Sequence, residues 1–356
     1  MLVIFSCQRE AFWGMHLQLL LCALLAALAG AQQHYDAIVY GSTPGGIQAA
    51  LSAAKEGLSV LLVSPTARLG GLVAGGLGAT DVGNEAAIGG ASRAFFTAVG
   101  GFKFPPHVAL QEFQRLLAAA APGVSVLYNA TLTAVARSSS DGSRVASVTV
   151  APTALVEAGE AAAAAAAAAG DTYTAAYFLD GTYEGDLIAM AGVTTAAGRE
   201  GTAEFGEDHA GVLAEPSKFG SHQFKVDVDP RWPNGTLLPQ ISAGAPGAVG
   251  SGDDKVQAYN FRLCMTQNAS NFRPFPRPPG YRSSDWELAR RYLLAANITT
   301  YWSLMNLVPV GEGKTDTNNN GAVSTDCIGC SWEYPNASPA QRRAIWNAHY
   351  EYQAGF

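Results

Sequence analysis

Charged side chains are scarce in this chain of 356 residues, and the basic ones form no cluster. Aspartate, glutamate, lysine and arginine together make up 14% of the residues, and the formal net charge is -7. Proteins that bind nucleic acid need clustered lysines and arginines to neutralise phosphates, so we expect no nucleic-acid partner. Hydrophobic residues make up 48% of the chain, which is enough for a large core, and the length favours two domains.

Cysteine is also rare, with five in the whole chain, and the sequence lacks the ligand pattern of a zinc site. Cys327 and Cys330 form a C-x-x-C motif, but no second such motif or histidine pair accompanies it, so we expect no metal. The motif is typical of either a redox-active pair or a local disulfide, and we favour the disulfide. The sequence also shows no Ser-His-Asp order or paired-carboxylate spacing that would indicate a hydrolase.

The N-terminal region contains an apolar run that ends in small residues. The run at 17–29 is too short to span a bilayer comfortably, and Ala29-Gly30-Ala31 fits a signal-peptidase site. A buried N-terminal helix is the alternative interpretation. We predict a signal peptide at 1–31, no stable membrane span after cleavage, and a secreted or endomembrane-lumen glycoprotein. The N-x-S/T sequons that agree with this compartment begin at Asn129, Asn234, Asn268, Asn297 and Asn336.

A strand–turn–helix–strand pattern follows the apolar leader. The apolar run at 37–40 is typical of a buried strand, and it leads directly into Gly-Ser-Thr-Pro-Gly-Gly at 41–46. Apolar residues at helical spacing over 47–57 and a second apolar run at 60–63 complete one βαβ unit.

The turn at 41–46 matches part of the G-x-G-x-x-G fingerprint of dinucleotide-binding folds. Gly41 and Gly46 occupy the first and third glycine positions, whereas Thr43 occupies the second. Such a turn brings backbone amides and a helix N-terminus close to a diphosphate. The Thr43 side chain would crowd the phosphate or donate a hydrogen bond to it. The sequence therefore predicts a dinucleotide site at this turn.

The residues after the second strand bear on the choice between FAD and NADP. An acidic residue usually contacts the ribose at the end of this strand, but here the residue is Ser64, which makes only a neutral hydrogen bond. Arg68 could hold the 2′-phosphate of NADP. The paired Gly70 and Gly71 instead suit the close approach of a second phosphate, and on this ground we favour FAD.

Five long segments resemble one family, the FAD-dependent oxidoreductases with a glutathione-reductase-type nucleotide domain. The first is YDAIVYGSTPGGIQAALSAAKEGLSVLLVSPTARLGGLVAGGLGATD, which begins at Tyr35. The resemblance covers roughly residues 35–356 and is more specific than the glycine turn alone. The four later segments are AIGGASRAFF, DGTYEGDLIAMAGV, KVQAYNFRLCMT and GKTDTNNNGAVSTD.

The resemblance implies a set of cofactor contacts, in which Ser64 replaces the usual glutamate at the adenosine ribose. Glu184 and Asp186 would either contact the ligand or cap the following helix. The family's closing helix, which approaches the flavin, has no match before Phe356, so we expect that segment to be missing. The implied cofactor-binding residues are Gly41, Ser42, Thr43, Gly45, Gly46, Ser64, Arg68, Gly70, Gly71, Val135, Asp180, Gly181 and Thr182.

Two basic residues are candidates for the substrate side of the site. Arg262 could clamp a substrate carboxylate or balance an anionic reduced flavin, or it could form a buried structural salt bridge. Lys314 begins a polar run at 314–320, which we interpret as a loop that either binds substrate or forms an exposed turn. We predict that Arg262 and Lys314 take part in catalysis.

The predicted fold class is α/β. A Rossmann-like FAD-binding domain at 32–198 would contain a parallel sheet and an antiparallel β insertion at about 124–178, followed by a mixed α+β substrate domain at 199–356. The alanine-rich run at 158–170 would be an insertion in a hairpin connection. The predicted function is hydride transfer from a small-molecule or carbohydrate substrate to FAD. The alternatives are an FAD-containing lyase acting on a polysaccharide and a shortened, non-catalytic secreted glycoprotein.

Overall fold

The computed structural model of the protein describes residues 33–138, 142–214 and 222–356. The predicted signal peptide at 1–31 lies outside the described residues. Within them, no helix combines the length and the apolar character needed to cross a bilayer.

One six-stranded sheet occupies the first half of the described chain. Its strands are β1 Gln33–Tyr40, β2 Val60–Ser64, β3 Val124–Tyr128, β4 Ala130–Arg137, β5 Val145–Pro152 and β6 Asp171–Asp180. Their spatial order is β3-β2-β1-β6-β5-β4. The pairs β3–β2, β2–β1 and β1–β6 are parallel, whereas β6–β5 and β5–β4 are antiparallel. The predicted parallel sheet with an antiparallel insertion is therefore confirmed.

The position of β3 corrects the predicted extent of the insertion. The sequence prediction placed the insertion at about 124–178, but β3 pairs in parallel with β2 through Val60↔Val124 and its neighbours. It therefore belongs to the parallel part of the sheet, and β4 and β5 form the insertion.

Helices cover the sheet and link its strands. The apolar runs of β1 and β2 are buried because α1 and α4 pack against one face of the sheet, through residues such as Ile47 and Phe113. As predicted, the alanine-rich run lies between the antiparallel neighbours β5 and β6, where it forms α6. The helices are α1 Pro44–Lys55, α2 Gly71–Gly75, α3 Gly90–Ala98, α4 Pro106–Ala119, α5 Thr153–Val156, α6 Glu160–Ala168, α7 Asp186–Met190, α8 Thr202–Phe205, α9 Glu287–Ala295 and α10 Pro339–Gly355.

A three-stranded antiparallel sheet lies in the second half, with β9 between β7 and β8. Its strands are β7 Leu263–Thr266, β8 Asn306–Gly311 and β9 Lys314–Asn318. The interpretation of 314–318 as a loop was therefore wrong. The strand is stable despite its polar sequence because Asp316 and Thr317 are buried with hydrogen-bond partners. The domain boundary between 198 and 199 stays a prediction.

The C-x-x-C motif forms a disulfide between Cys327 and Cys330, as the sequence predicted. Cys327 is buried and Cys330 is exposed, and Cys264 is a free cysteine.

Candidate functional site

Backbone packs directly on backbone where the turn after β1 meets the turn after β6. Gly41 has a φ of +106°, and a Cβ atom there would lie 2.5 Å from the carbonyl carbon of Gly181. A Cβ atom on Gly46 would overlap the carbonyl oxygen of Gly41, and one on Gly181 would lie 2.7 Å from the Gly46 Cα. These three positions require glycine because no side chain fits between the two turns.

Thr43 occupies the second glycine position of the fingerprint, and its hydroxyl makes hydrogen bonds within the protein. Its Oγ1 donates to the Gly181 carbonyl oxygen at 2.6 Å and accepts from the Gly46 amide at 3.2 Å, so it caps α1. Within the described chain, the amides of Ser42, Thr43 and Gly45 have no hydrogen-bond partner. Free amides at a helix N-terminus are suited to bind an anion such as a phosphate.

A cleft of about 510 Å³ opens at this turn. Its wall includes the loops that follow the carboxyl ends of β1, β2 and β6. Because β2 and β6 pair with opposite edges of β1, the order of the strands changes direction at β1. Ligands of open α/β sheets bind at such a switch point. The volume lies within the range of roughly 300–1,000 Å³ that is usual for ligand pockets.

Six of the predicted cofactor residues line this cleft, which we call the cofactor cleft. The other seven do not line its wall. The lining residues are Gly41, Ser42, Thr43, Arg68, Gly71 and Thr182. The residues outside the wall are Gly45, Gly46, Ser64, Gly70, Val135, Asp180 and Gly181.

Ser64 shows how a predicted contact residue lies outside the wall. Its side chain is fully buried, its Oγ lies 2.7 Å from the Oγ of Ser42, and it donates to the Thr66 carbonyl oxygen at 2.8 Å. The hydroxyl therefore ties together two loops of the cleft. Its contact with a ribose stays a prediction.

Val135 also lies away from the cofactor cleft. It pairs with Val148 in the β4–β5 hairpin and packs against the core. Two other residues of β4, Thr131 and Leu132, line the cleft instead. No local pattern would have selected them over Val135, because the register of β4 depends on its partner strand.

Asp180 organises the loop that follows β6. Its Oδ1 accepts from the Thr182 amide at 2.8 Å and from the Thr182 hydroxyl at 2.6 Å. Its Oδ2 accepts from the amides of Leu187 at 2.8 Å and Ile188 at 3.1 Å, at the start of α7. The carboxylate thus holds the Thr182 and Tyr183 wall of the cofactor cleft in place.

The opposite wall of the cofactor cleft contains residues from α10 that the sequence prediction missed. Arg342 donates two hydrogen bonds of 2.8 Å to the carboxylate of Asp186, and Arg343 pairs with Glu157. The capping box of α10, formed by Ser338 and Gln341, could have revealed the helix start, but not the cleft it faces. Asp186 therefore forms an interhelical ion pair, and Asp180 makes the hydrogen bonds to the α7 amides.

A second cavity of about 410 Å³ adjoins the cofactor cleft. The two cavities share Thr66, Gly71, Tyr183 and Tyr334 in their walls. We call the second cavity the aromatic pocket, because its wall includes the rings of Tyr183, Tyr259, Phe261, Tyr334, Trp346 and His349.

Of the two residues predicted to be catalytic, the structure brings one to this site. Arg262 lines the aromatic pocket, and its Nη1 lies 3.4 Å from Oδ1 of Asp316. Burial raises the pKa of Asp316. The hydrogen bond from the Ala79 amide and the positive charge of Arg262 lower that pKa by smaller amounts. Lys314 lines neither cavity and pairs with Glu312 at 2.8 Å. Its catalytic role remains a prediction that no contact supports.

The cofactor cleft fits a dinucleotide. The unpartnered amides after β1 and the Arg68 guanidinium can meet a diphosphate, and the glycines allow the backbone to approach it closely. Burial raises the pKa of Glu184 in the same wall, and the positive charge of Arg342 lowers that pKa by a smaller amount.

Several solved structures are distantly similar to this chain. THI4 from Thermovibrio ammonificans is 17% identical, over 53% of this chain and 73% of that chain, with a TM-score of 0.34. A geranylgeranyl bacteriochlorophyll reductase-like protein from Thermoplasma acidophilum is 22% identical, over 46% of this chain and 43% of that chain, with a TM-score of 0.32. Thioredoxin reductase of T. acidophilum is 17% identical, over 42% of this chain and 35% of that chain, with a TM-score of 0.26. This chain thus spans less than half of the last two proteins.

Comparison with curated proteins gave no significant match. The family model described as FAD dependent oxidoreductase matches residues 36–356, which is nearly the whole described chain. The chain therefore belongs to the FAD-dependent oxidoreductase family, and FAD is its cofactor.

Proposed function

We propose that this protein oxidises an organic substrate that binds in the aromatic pocket and passes a hydride to FAD. The observation that carries the proposal is the shared wall of the two cavities, formed by four residues. A molecule in the aromatic pocket lies directly beside whatever fills the cofactor cleft. Flavin enzymes need this adjacency because the cofactor supplies the hydride acceptor and the protein positions the substrate against it.

The residues of the cleft have separate tasks in this proposal. The free amides of Ser42, Thr43 and Gly45 bind the diphosphate, and Arg68 adds positive charge at the rim. The aromatic side chains of the adjoining pocket keep water away from the reacting atoms. Arg262 is held against the pocket by Asp316, so its guanidinium is fixed in position and its charge is balanced.

The test is a titration of the purified protein with FAD, followed by flavin fluorescence. We expect saturable binding of FAD and much weaker binding of riboflavin, which lacks the diphosphate. Arg68→Met should weaken FAD binding about tenfold, since a lost charge-assisted contact costs about 1.4 kcal/mol.

Arg115→Met is the matched control, because Arg115 is exposed and pairs with Glu112 on α4, outside both cavities. It should bind FAD as the wild type does. A colourless protein that ignores added FAD, or one that binds riboflavin equally well, contradicts the proposal. Bleaching of the flavin absorbance by an organic substrate without oxygen then tests hydride transfer.

We further propose that the protein is a glycoprotein of the secretory lumen. The asparagines of all five sequons are exposed, which agrees with access by the glycosylation machinery. Treatment of the secreted protein with an endoglycosidase should lower its apparent mass. Asn297→Gln should reduce that shift, whereas Asn336→Gln should have little effect because Pro339 follows its sequon. Recovery of an unglycosylated chain from the cytosol would rule this proposal out.

A further inference from the structure

The end of β2 lacks the acidic residue that holds a ribose in dinucleotide-binding folds. In those folds the acid accepts hydrogen bonds from the ribose hydroxyls. Ser64 occupies that position here, but its side chain is fully buried and its hydroxyl donates to the Thr66 carbonyl oxygen. A hydroxyl with no exposed surface presents no acceptor to the cofactor cleft. The ribose hydroxyls of a bound dinucleotide therefore need an acceptor from another part of the chain.

Helix α5 brings a carboxylate to the end of β2. The Thr153 hydroxyl, at the start of this helix, donates to the carbonyl oxygen of Pro65 at 2.8 Å, directly after β2. One helical turn later, the Glu157 amide donates to the Thr153 carbonyl oxygen at 3.0 Å. All three residues line the cofactor cleft. Glu157 therefore lies on the cleft wall near the end of β2, the strand that pairs with β1.

The Glu157 carboxylate has hydrogen-bonding capacity left for a ligand. The Arg343 guanidinium donates to it from two nitrogens, and both hydrogen bonds go to Oε2. Within the described chain no hydrogen bond reaches Oε1, and 25% of the Glu157 side chain is exposed. An ionised carboxylate can accept about four hydrogen bonds, so Oε1 can accept from two neighbouring hydroxyls. The positive charge of Arg343 favours the ionised carboxylate, even near a diphosphate.

The other two carboxylates in the wall of the cofactor cleft are less suited to this task. Glu184 and Asp186 follow β6, which pairs with the edge of β1 opposite to β2. Both oxygens of Asp186 already accept from Arg342. Oε1 of Glu184 accepts from the hydroxyl of Tyr259 at 3.4 Å, and Tyr259 belongs to the aromatic pocket. Position and free acceptor capacity thus both favour Glu157.

We propose that Glu157 binds the adenosine ribose of FAD, with Oε1 accepting hydrogen bonds from the 2′ and 3′ hydroxyls. A carboxylate on the segment between β5 and β6 then does what an acid at the end of β2 does in other dinucleotide-binding folds. The inference rests on the proposed function in placing FAD in the cofactor cleft, and it does not depend on the substrate.

The experiment compares FAD with an analogue whose adenosine ribose lacks the 2′ and 3′ hydroxyls. Each is titrated into the purified protein, and binding is followed by flavin fluorescence. We expect the wild type to bind FAD at least about tenfold more tightly than the analogue, because hydrogen bonds to a charged group are lost. The measured quantity is the ratio of the two dissociation constants. A substitution that only loosens the fold weakens both ligands alike and leaves this ratio unchanged.

Glu157→Ala is the decisive variant, since it removes the acceptor. Its ratio should fall below about threefold, because neither ligand then has a carboxylate at the ribose. Glu157→Gln keeps the size of the side chain and one neutral acceptor, so its ratio should lie between those of the wild type and the alanine variant. It also serves if the alanine variant does not fold. Glu112→Ala is the matched control, because Glu112 also pairs with an arginine, Arg115, but lies outside the cofactor cleft.

The outcomes separate this inference from the proposed function. A protein that binds neither flavin refutes both. A wild type that binds FAD and the analogue equally well refutes the inference alone, as does a ratio that the folded Glu157 variants leave unchanged. A ratio that Ser64→Ala lowers and Glu157→Ala does not would assign the contact to Ser64. A ratio that falls in Glu157→Ala and stays at the wild-type value in Glu112→Ala supports the inference.

Discussion

Replacing Gly46 with alanine is expected to destabilise the protein by about 3 kcal/mol and to abolish FAD binding. The new methyl group would overlap the carbonyl oxygen of Gly41, and both atoms belong to the backbone of the same turn. Because neither can move as a side chain does, the turn must open, at the cost typical of a severe overpacking change. Denaturant unfolding and a titration with FAD measure the two effects.

Gly45→Ala is the control for the same turn. A Cβ atom on Gly45 would meet nothing closer than the Thr43 hydroxyl oxygen, at 3.8 Å. Alanine is also the better helix former, so this variant should be as stable as the wild type or up to about 1 kcal/mol more stable. If Gly46→Ala unfolds at the same denaturant concentration as Gly45→Ala, the turn does not have the tight packing described above.

The glycine turn was predictable from the sequence because its close backbone packing admits only one residue type. A position that meets another backbone tolerates only glycine, so Gly41 and Gly46 appear in the sequence at the spacing that the fold requires. The apolar runs of β1 and β2 were predictable for a related reason. Central parallel strands are buried on both faces, so the buried residues at 37–40 in β1 and 60–64 in β2 are hydrophobic except for Ser64.

The roles of Thr43 and Ser64 were not predictable from residue type. Each hydroxyl could face either a ligand or the backbone, and local sequence does not decide between them. In the structure Thr43 bonds to Gly181, 138 positions away, and Ser64 bonds to Ser42 across the sheet edge. Side-chain direction at such positions depends on partners brought together by the fold.

The second half of the site was hidden from the sequence for the same reason. His349 and Trp346 lie on α10, far along the chain from Phe261 in the same pocket, and no local pattern connects the three. The strand β9 was mistaken for a loop because its polar residues find partners on distant elements, as Asp316 does with Ala79 and Arg262. Hydrophobic periodicity cannot detect a strand that is stabilised by polar contacts.

Asp180→Ala is expected to lower the free energy of unfolding by about 3 kcal/mol and to weaken FAD binding. Four donors lose their acceptor at once: the Thr182 amide and hydroxyl and the Leu187 and Ile188 amides of α7. A single hydrogen bond to a charged group contributes about 1.5–3 kcal/mol, and the loss of a helix cap alone costs about 1 kcal/mol. Denaturant unfolding gives the first value and a titration with FAD gives the second.

Asp171→Ala is the matched control, because it removes an aspartate side chain from the opposite end of β6. Asp171 is exposed, so this control should change the free energy of unfolding by less than about 0.5 kcal/mol. Asp180→Asn, which keeps one acceptor oxygen, should fall between the control and Asp180→Ala. Equal stability of the two alanine variants would mean that the loop after β6 is held by other contacts. A loss of FAD affinity in Asp180→Ala without a loss of stability would instead make Asp180 a direct cofactor contact, because only then could binding change while the loop stayed intact.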